Sequence, residues 1–499
     1  MGRLLHYAAL PSPTMSFNEL IHLTATQAVE ALRRRDISPL DLIDAAEARI
    51  AEVEPLVNAL PTLCFDRARE HAGSLMRAGS SAQEVSPGWL AGLPITIKDM
   101  TDVAGVRTTY GSPIFKDHVP GVSHPLVERL ERQGGIVIAK SNTPEFAVGA
   151  STFNPVFGRT RNPWNTSLTC GGSSGGAAVS VATGEAWLAH GNDMNGSLRR
   201  PATYCAVVGL RPSPGRVTRG TVDDLFSPLM VEGPIARNVP DLALFLDAMA
   251  GLCLYDPLTH AAPIRSYVDA VAVAEQEPPR RIAYCADFGG SVPVDSETRD
   301  RCAQAVRAFE ALGCVVDEVS PDIGELDEAS LILRSQAFVV DRELLINAHP
   351  DMIKADIVWN TEIGLKASPS RIAWAQRRRT AFFRQMTRVF EQYDLFVTPG
   401  ASTPAFDVNL RHPATIAGTK LDNYLAGSML NGAITLTGCP ALSVPCGLDQ
   451  FGRPIGLQFV SPPHREDRLL QAAALFERIA GFSSGVPIDP RSGEVPPAE

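Results

Sequence analysis

The sequence predicts an α/β fold, and three observations carry that prediction. Short β-rich apolar runs alternate with segments of helical period, as in DLALFLDAMAGL, RIAYCADF, TRDRCAQAVRAFEALGCVVDEV and YDLFVTPG. Such alternation argues for a sheet with a substantial parallel component covered by helices. RIAYCADF and GCVVDEV, joined by one helical segment, read as a complete βαβ unit. The bulk composition, 45% hydrophobic and 20% charged over 499 residues, is that of an ordinary globular chain. It suits one large α/β domain with insertions or two to three smaller domains.

Taken in order, the chain opens with MGRLLHYAALPSPTM, too short and too broken by proline for a signal peptide. Residues 1–16 are expected to be a flexible extension, with Met15 as an alternative start. Residues 17–60 read as helices: Thr24 and Gln27 have capping-box spacing, and Ser38-Pro39 supplies an N-cap and a first-turn proline. AGLPITIK is a β-rich run that ends on Lys98. Lysine is among the residues least often buried, so taken alone Lys98 reads as snorkelling or paired, with Asp99 the nearest carboxylate. HPLVERLERQGG then gives a helix and IVIAK a buried strand; SNTPEFAVG reads as a loop followed by a helix with Pro144 near its start. Asn154, Pro155, Gly158, Asn162 and Pro163 mark an irregular connection. Past Pro201, VVGL is a strand and RPSPGR a turn. Residues 325–430 are a helical insertion and a loop that cover one side of the sheet, anchored by Trp359 and Trp374. The C-terminal core is NGAITLTGCPALSVPCG with RPIGLQFVSPP and a final helix, and a mobile tail is expected over 483–499.

Charge and residue counts exclude several functions. A formal net charge of −10 gives no basic face for nucleic acid. Nine cysteines without a CxxC pair form neither a disulfide framework nor a zinc pattern, and ten histidines show no HxxH or HExxH spacing. No metal is expected. No apolar run of about 18 residues free of charge appears, so no membrane span is expected and the cytoplasm is the default location.

The chemistry concentrates between Cys170 and Pro201, CGGSSGGAAVSVATGEAWLAHGNDMNGSLRRP. A flexible Gly/Ser linker does not lead straight into an apolar segment that must be buried. A Walker phosphate loop needs Lys and Ser/Thr after its second glycine, where Ala177-Ala178 stand. Nucleophilic catalysis remains, in two versions. Gly172-Ser173-Ser174-Gly175-Gly176 satisfies GxSxG around Ser174, the nucleophile elbow of α/β-hydrolases, with His464 late enough to serve it. That version leaves Ser197 and its own glycine unexplained.

The other version rests on a resemblance. GGSSGGAAVSVATG with GNDMNGSLRRPA and VVGLRPSPGRV, GLPITIKDMTDVAGVRTTYGS, AKSNTPEF and TGCPALSVPCG…GRPIGLQFV resemble segments of the amidase signature family, in order, over residues 20 to 480. The resemblance implies a single compact α/β/α domain, residues 17–482, with a mixed central β-sheet covered by helices. It implies Ser197 as nucleophile, Ser173 as a bridging serine joined to Gly172 by a cis peptide bond, and Lys98 as base. The backbone N–H groups of Met194, Asn195, Gly196 and Ser197 would form the oxyanion hole, and Cys170, Gly171, Gly172 and Asn195 would meet the substrate. Taken alone, Cys170 also reads as a small buried residue.

A serine hydroxyl needs a base, and a lysine can act as one only when burial lowers its pKa. The family usually has two glycines before the nucleophile; here Asn195-Gly196 stand there, and asparagine is one of the few residues tolerant of positive φ. Asp193 and Arg199 read as a salt bridge that stiffens the loop. The implied activity is hydrolysis of a C–N acyl bond in small or amphipathic amides, with anilides, carbamates and esters as further substrates and no cofactor. Alternatives are a glutamine-hydrolysing amidotransferase subunit, the Ser174 esterase, and a catalytically dead amide-binding scaffold. A monomer or homodimer is expected.

Overall fold

The computed structural model describes residues 15–78, 86–220, 222–482 and 484–496. The extension expected at 1–16 therefore lies, up to residue 14, outside the described residues. The main sheet has 11 strands. In chain order they are β1 (Thr62–Leu63), β2 (Pro94–Lys98), β3 (Ile136–Ser141), β4 (Leu188–Asp193), β5 (Val208–Arg211), β6 (Val231–Ala236), β7 (Arg281–Tyr284), β8 (Val315–Glu318), β9 (Leu395–Pro399), β10 (Ala441–Leu448) and β11 (Pro454–Val460). Across the sheet they lie β1-β3-β2-β4-β6-β5-β10-β11-β9-β7-β8. β3, β2 and β4 are mutually parallel, as are β9, β7 and β8. The strands between these two groups pair antiparallel, so the sheet is mixed.

Every residue of β2, β3, β4, β6, β9 and β11 is buried. Helices lie over both faces, which is why these strands read as continuous apolar runs rather than alternating ones. RIAYCADF and GCVVDEV do form a parallel pair, Arg281 opposite Val315, across the helix Ser296–Val306.

The N-terminal helices Ala25–Arg34 and Pro39–Val57 start where their caps dictate. Thr24 and Gln27 exchange side-chain and backbone bonds, and so do Ser38 and Asp41. Three helices, Leu326–Ala348, Ala355–Lys366 and Pro369–Phe390, make up most of the insertion. Their apolar faces join two satellite cores, one around Phe382, Met386 and Leu430, the other around Phe146, Phe338 and Tyr424. The second of these borders the site described below.

One local expectation is corrected. The helix expected after Pro144 is a single 3-10 turn, Glu145–Ala147, because Phe146 and Ala147 adopt φ of 46° and 60° and cannot propagate a helix. AAVSVATGEAWLAH is buried throughout, as its composition requires, and is divided between the helix Gly175–Ala182 and β4, with a turn at Gly184. The described part of the tail, residues 484–496, makes contacts with the body. The Ile488 N–H donates to Ala182 O at 2.9 Å, the Arg491 N–H donates to Pro163 O at 2.9 Å, and Arg49 Nη2 pairs with Asp489 at 2.7 Å. This stretch is irregular, as its Pro/Gly/Ser composition leads one to expect, and two of its backbone N–H groups donate to the body. Among the described residues no helix is long and apolar enough to cross a membrane.

Candidate active site

The site forms where parallel strands end. β2 lies between β3 and β4, with Ile95 opposite Leu188, so the carboxyl ends of β2 and β4 reach the same edge. In open α/β sheets that edge is where ligands bind. β2 ends on Lys98 and β4 on Asp193. Ser173 and Ser174 arrive there at the start of the helix Gly175–Ala182. Two glycines let that helix approach so closely: a Cβ on Gly175 would lie 2.3 Å from Thr152 Oγ1, and one on Gly176 would lie 2.4 Å from the Asn142 nitrogen. Ser197 follows β4 by a short turn, and the Ser174 N–H donates to the Ser197 carbonyl at 3.2 Å, tying the two loops together. The Gly172–Ser173 peptide bond is cis.

Lys98 is wholly buried (0% exposed). Its Nζ bonds to Ser173 Oγ at 2.8 Å, Ser174 Oγ at 3.0 Å and Asn192 Oδ1 at 2.6 Å. Burial pushes its pKa down to about 7, against the weaker opposing pull of the Glu232 and Asp193 carboxylates. Asp99 is not its partner. That carboxylate sits 3.6 Å from a second buried lysine, Lys140 of β3, and accepts from the N–H and Oγ1 of Thr109. Lys140 thus has a carboxylate within ion-pair distance, whereas among the described residues Lys98 is bonded only to neutral oxygens.

The three oxygens around Lys98 differ in what they can give. An amide oxygen, Asn192 Oδ1, only accepts. Ser174 Oγ donates its own proton to Asn192 O at 3.2 Å, and so faces Lys98 as an acceptor. When Lys98 is a neutral amine, its two N–H groups satisfy these two acceptors. The lone pair is then left for the one hydroxyl whose proton is not otherwise engaged, Ser173.

The loop from Asp193 to Arg199 is held by charge. Asp193 accepts from the N–H of Gly196 (2.9 Å) and of Leu198 (3.1 Å), and Arg199 clamps both its oxygens at 3.0 and 2.8 Å. Arg211 adds a contact at 3.4 Å. Burial alone would raise this carboxyl, but Arg199, Arg211 and the Gly196 N–H outweigh it and hold it well below the usual carboxylate range.

Two expectations about this loop are corrected. The positive φ falls on Gly196 (95°) and not on Asn195, so the asparagine is not there for its backbone. Its side-chain oxygen instead lies against Gly432, where an added Cβ would come within 2.5 Å. Of the four N–H groups expected to form an oxyanion hole, that of Gly196 is engaged by Asp193, which leaves those of Met194, Asn195 and Ser197.

Ser173, Asn192, Met194, Asn195 and Ser197 line one cleft, walled by Phe146, Val148, Arg200, Met230, Arg334, Phe338, Tyr424 and Ser428. Cys170, Gly171 and Gly172 are not among its walls. Cys170 is buried behind the loop, its Sγ 3.6 Å from Thr160 O, and burial pushes its thiol up to about 12. Gly171 packs on Pro201 and Tyr204, and Gly172 on residues 149–151. His464 does not serve Ser174: its ring packs edge-on to His260 at 4.8 Å. Sequence reasoning missed Asn192, the 146–150 wall and Arg334; only GND, immediately before the expected loop, hinted at the first. Among the described residues no three His, Cys, Asp or Glu side chains gather as a metal would require.

Residues 41–470 match the family described as Amidase. A glutamyl-tRNA(Gln) amidotransferase subunit of Halothermothrix orenii is 33% identical over 94% of this chain and 99% of its own length. The corresponding protein of Moorella thermoacetica is 34% identical over 92% and 97%. Among solved structures, a bacterial aryl acylamidase of the amidase signature family superposes with a TM-score of 0.85 at 28% identity, over 92% of this chain and 96% of its own. A 6-aminohexanoate cyclic dimer hydrolase complexed with substrate gives 0.82 at 26% identity, over 95% and 99%.

Proposed function

This chain belongs to the amidase signature family and is an amidohydrolase, and from that premise we propose that it cleaves the C–N acyl bond of small or amphipathic amides through an acyl-enzyme on Ser197. The observation that carries the reading is the Lys98 amine. It is fully buried, bonded to no carboxylate, and 2.8 Å from Ser173 Oγ, whose loop shares a cleft with Ser197.

Neutral Lys98 takes the Ser173 proton as Ser173 takes that of Ser197. The Ser197 oxygen adds to the carbonyl carbon, and the N–H groups of Met194, Asn195 and Ser197 receive the developing oxyanion. The proton returns through Ser173 to the leaving nitrogen, the C–N bond breaks, and water then releases the acid by the same relay. Anilides, carbamates and esters present the same carbonyl and are included. Residues 325–430 act as the substrate-side cover, through Arg334, Phe338, Tyr424 and Ser428. Nine free thiols suit a reducing compartment, and a cytoplasmic monomer or homodimer is part of the reading.

The test is a fluorophosphonate probe together with single alanine variants assayed on aryl amides. The probe is expected to label Ser197. Ser197→Ala and Lys98→Ala are expected to lose about 1,000-fold or more in kcat, and Ser174→Ala markedly less. Turnover abolished by Ser174→Ala and untouched by Ser197→Ala would sink the assignment.

A second reading is favoured by the near-complete coverage of the two amidotransferase relatives. It makes this chain a glutaminase that works with a partner. Glutamine hydrolysis dependent on a co-purifying protein would select it.

A further inference from the structure

The cleft beside Ser197 is lined by three arginines, Arg200, Arg334 and Arg342, and one acid, Asp341. That is a local excess of positive charge in a chain whose formal net charge is −10. Among the described residues, none of the three guanidiniums lies within ion-pair distance of a carboxylate, although most other buried arginines are matched: Arg199 and Arg211 by Asp193, Arg216 by Glu466, Arg49 by Asp489. Arg342 lies over the Phe146 ring, and its Nη1 donates to the Asp341 backbone carbonyl. Arg200 donates to Ser428 Oγ at 2.6 Å.

Arg334 is the most informative. It is 8% exposed and stands on the helix Leu326–Ala348. Its Nε donates to Asn360 Oδ1 at 3.3 Å and its Nη2 to the Tyr424 hydroxyl at 3.1 Å. The guanidinium lies over the Phe338 ring, 4.7 Å from its centroid, and among the described residues the hydrogen-bond partner of the remaining nitrogen, Nη1, is the sulfur of Met194, at 3.1 Å. A thioether is a weak acceptor, so that end of a buried cation is poorly satisfied. Tyr424 repeats the pattern. Its oxygen accepts from Arg334 Nη2 and from Asn360 Nδ2 (2.9 Å), which uses both lone pairs and leaves its proton to donate. Two donors therefore border a cleft where the Phe338 ring covers the face of the guanidinium but, with Met194, offers no oxygen acceptor to its edge.

Resting on the hydrolase reading above, we propose that the substrate is an amide that also carries a carboxylate, bound at the unsatisfied edge of Arg334 and the Tyr424 hydroxyl. One carboxylate oxygen takes an Arg334 N–H and displaces Met194 from it; the other takes the Tyr424 proton. Phe146 and Phe338 cover the apolar portion between carboxylate and scissile bond. A charge-assisted pair of this kind is stronger in a desolvated cleft than in water.

The test uses three anilides: hexananilide, adipic acid monoanilide and 4-(hexanoylamino)benzoate. They differ by a carboxylate on neither flank, on the acyl flank and on the amine flank. Affinity is measured by calorimetry on the Ser197→Ala protein, so no turnover is needed, and aniline or 4-aminobenzoate release is followed on the wild type. At least one carboxylated anilide is expected to bind at least tenfold more tightly than hexananilide, with a gap that narrows as salt is raised. In Arg334→Gln that preference is expected to fall to near unity, and in Arg334→Lys to an intermediate value. Equal or tighter binding of hexananilide by the Ser197→Ala protein with Arg334 intact overturns the proposal whether or not an Arg334 variant folds. So does a preference that survives in a folded Arg334→Gln protein. Failure of the hydrolase reading looks different: no product from any anilide and no probe on Ser197, with the binding comparison still read.

Discussion

Replacing Asn192 by aspartate puts a carboxylate where an amide oxygen now touches the proposed base. Asn192 Oδ1 is 2.6 Å from Lys98 Nζ. A full charge at that distance, in a medium of effective permittivity about 20, would favour the ammonium form by about 6 kcal/mol. At about 1.36 kcal/mol per pKa unit that is between roughly four and five units. Burying a second ion costs several kcal/mol in the other direction, and about two units upward is the expected net. Lys98 starts at about 7. Because it must be neutral to take a proton, kcat/KM rises with pH through that value in the wild type and levels off above it.

In Asn192→Asp the rise is expected near pH 9, so the neutral fraction at pH 7 drops from about one half to about one hundredth, a loss of about fiftyfold that recovers at high pH. Asn192→Leu removes an acceptor without adding charge. The ammonium loses a partner, and the limb is expected to move below 7. The assay is the pH profile of kcat/KM on an anilide, with thermal melts to confirm folding. An acidic limb unmoved in both variants, with activity merely scaled down at every pH, would refute the argument that Lys98 is the titrating base and that Asn192 orients it.

Three other outcomes are expected. Asp193→Asn, leaving Arg199 and Arg211 unpaired in the interior, should cost about 3–5 kcal/mol in urea unfolding at pH 7. The folded Asp193 carboxyl is held below its ordinary 3.8. Its contribution is therefore complete above about pH 4 and drains as pH falls below that toward the folded pKa, so the gap between wild type and variant should close in acid. Gly196→Ala forces a side chain onto a φ of 95° with its Cβ 2.7 Å from Asn431 Oδ1; a loss of at least about 100-fold in kcat is expected, with probe labelling of Ser197 falling in parallel. Truncation after residue 482 removes the Ile488 hydrogen bond to Ala182 and the Asp489 partner of Arg49; about 3 kcal/mol of stability should go, seen as a lower Tm, and an unchanged Tm would mean the docked tail contributes nothing.

Much of the architecture is legible in the sequence because its causes are local. The N-terminal helices start at Thr24 and Ser38, where a hydroxyl and an acceptor three residues on satisfy free N–H groups. β2, β3 and β9 announce themselves as apolar runs because both sides of the sheet are covered. The turn after Pro144 departs from expectation because composition does not report that Phe146 and Ala147 take positive φ. The contacts that residues 488–491 make with Ala182, Pro163 and Arg49 are not legible in composition, because their partners come from elsewhere in the chain.

The sequence by itself determined which residues could carry the chemistry: a lysine closing a buried strand, serines among glycines, and motifs in an order that names a family. Only the tertiary structure decided what those residues meet. Asn192 reaches Lys98 across 94 residues, and Asp99 turns to Lys140 instead. Cys170, Gly171 and Gly172 pack behind the loop although Ser173, the next residue, lines the cleft, and Arg334, one of several arginines on generic helices, comes to face Met194 without a counter-charge. The physical reason is range. Period, caps and turns are written into a few consecutive residues, whereas burial and hydrogen-bond partners depend on which distant strands and loops are brought together.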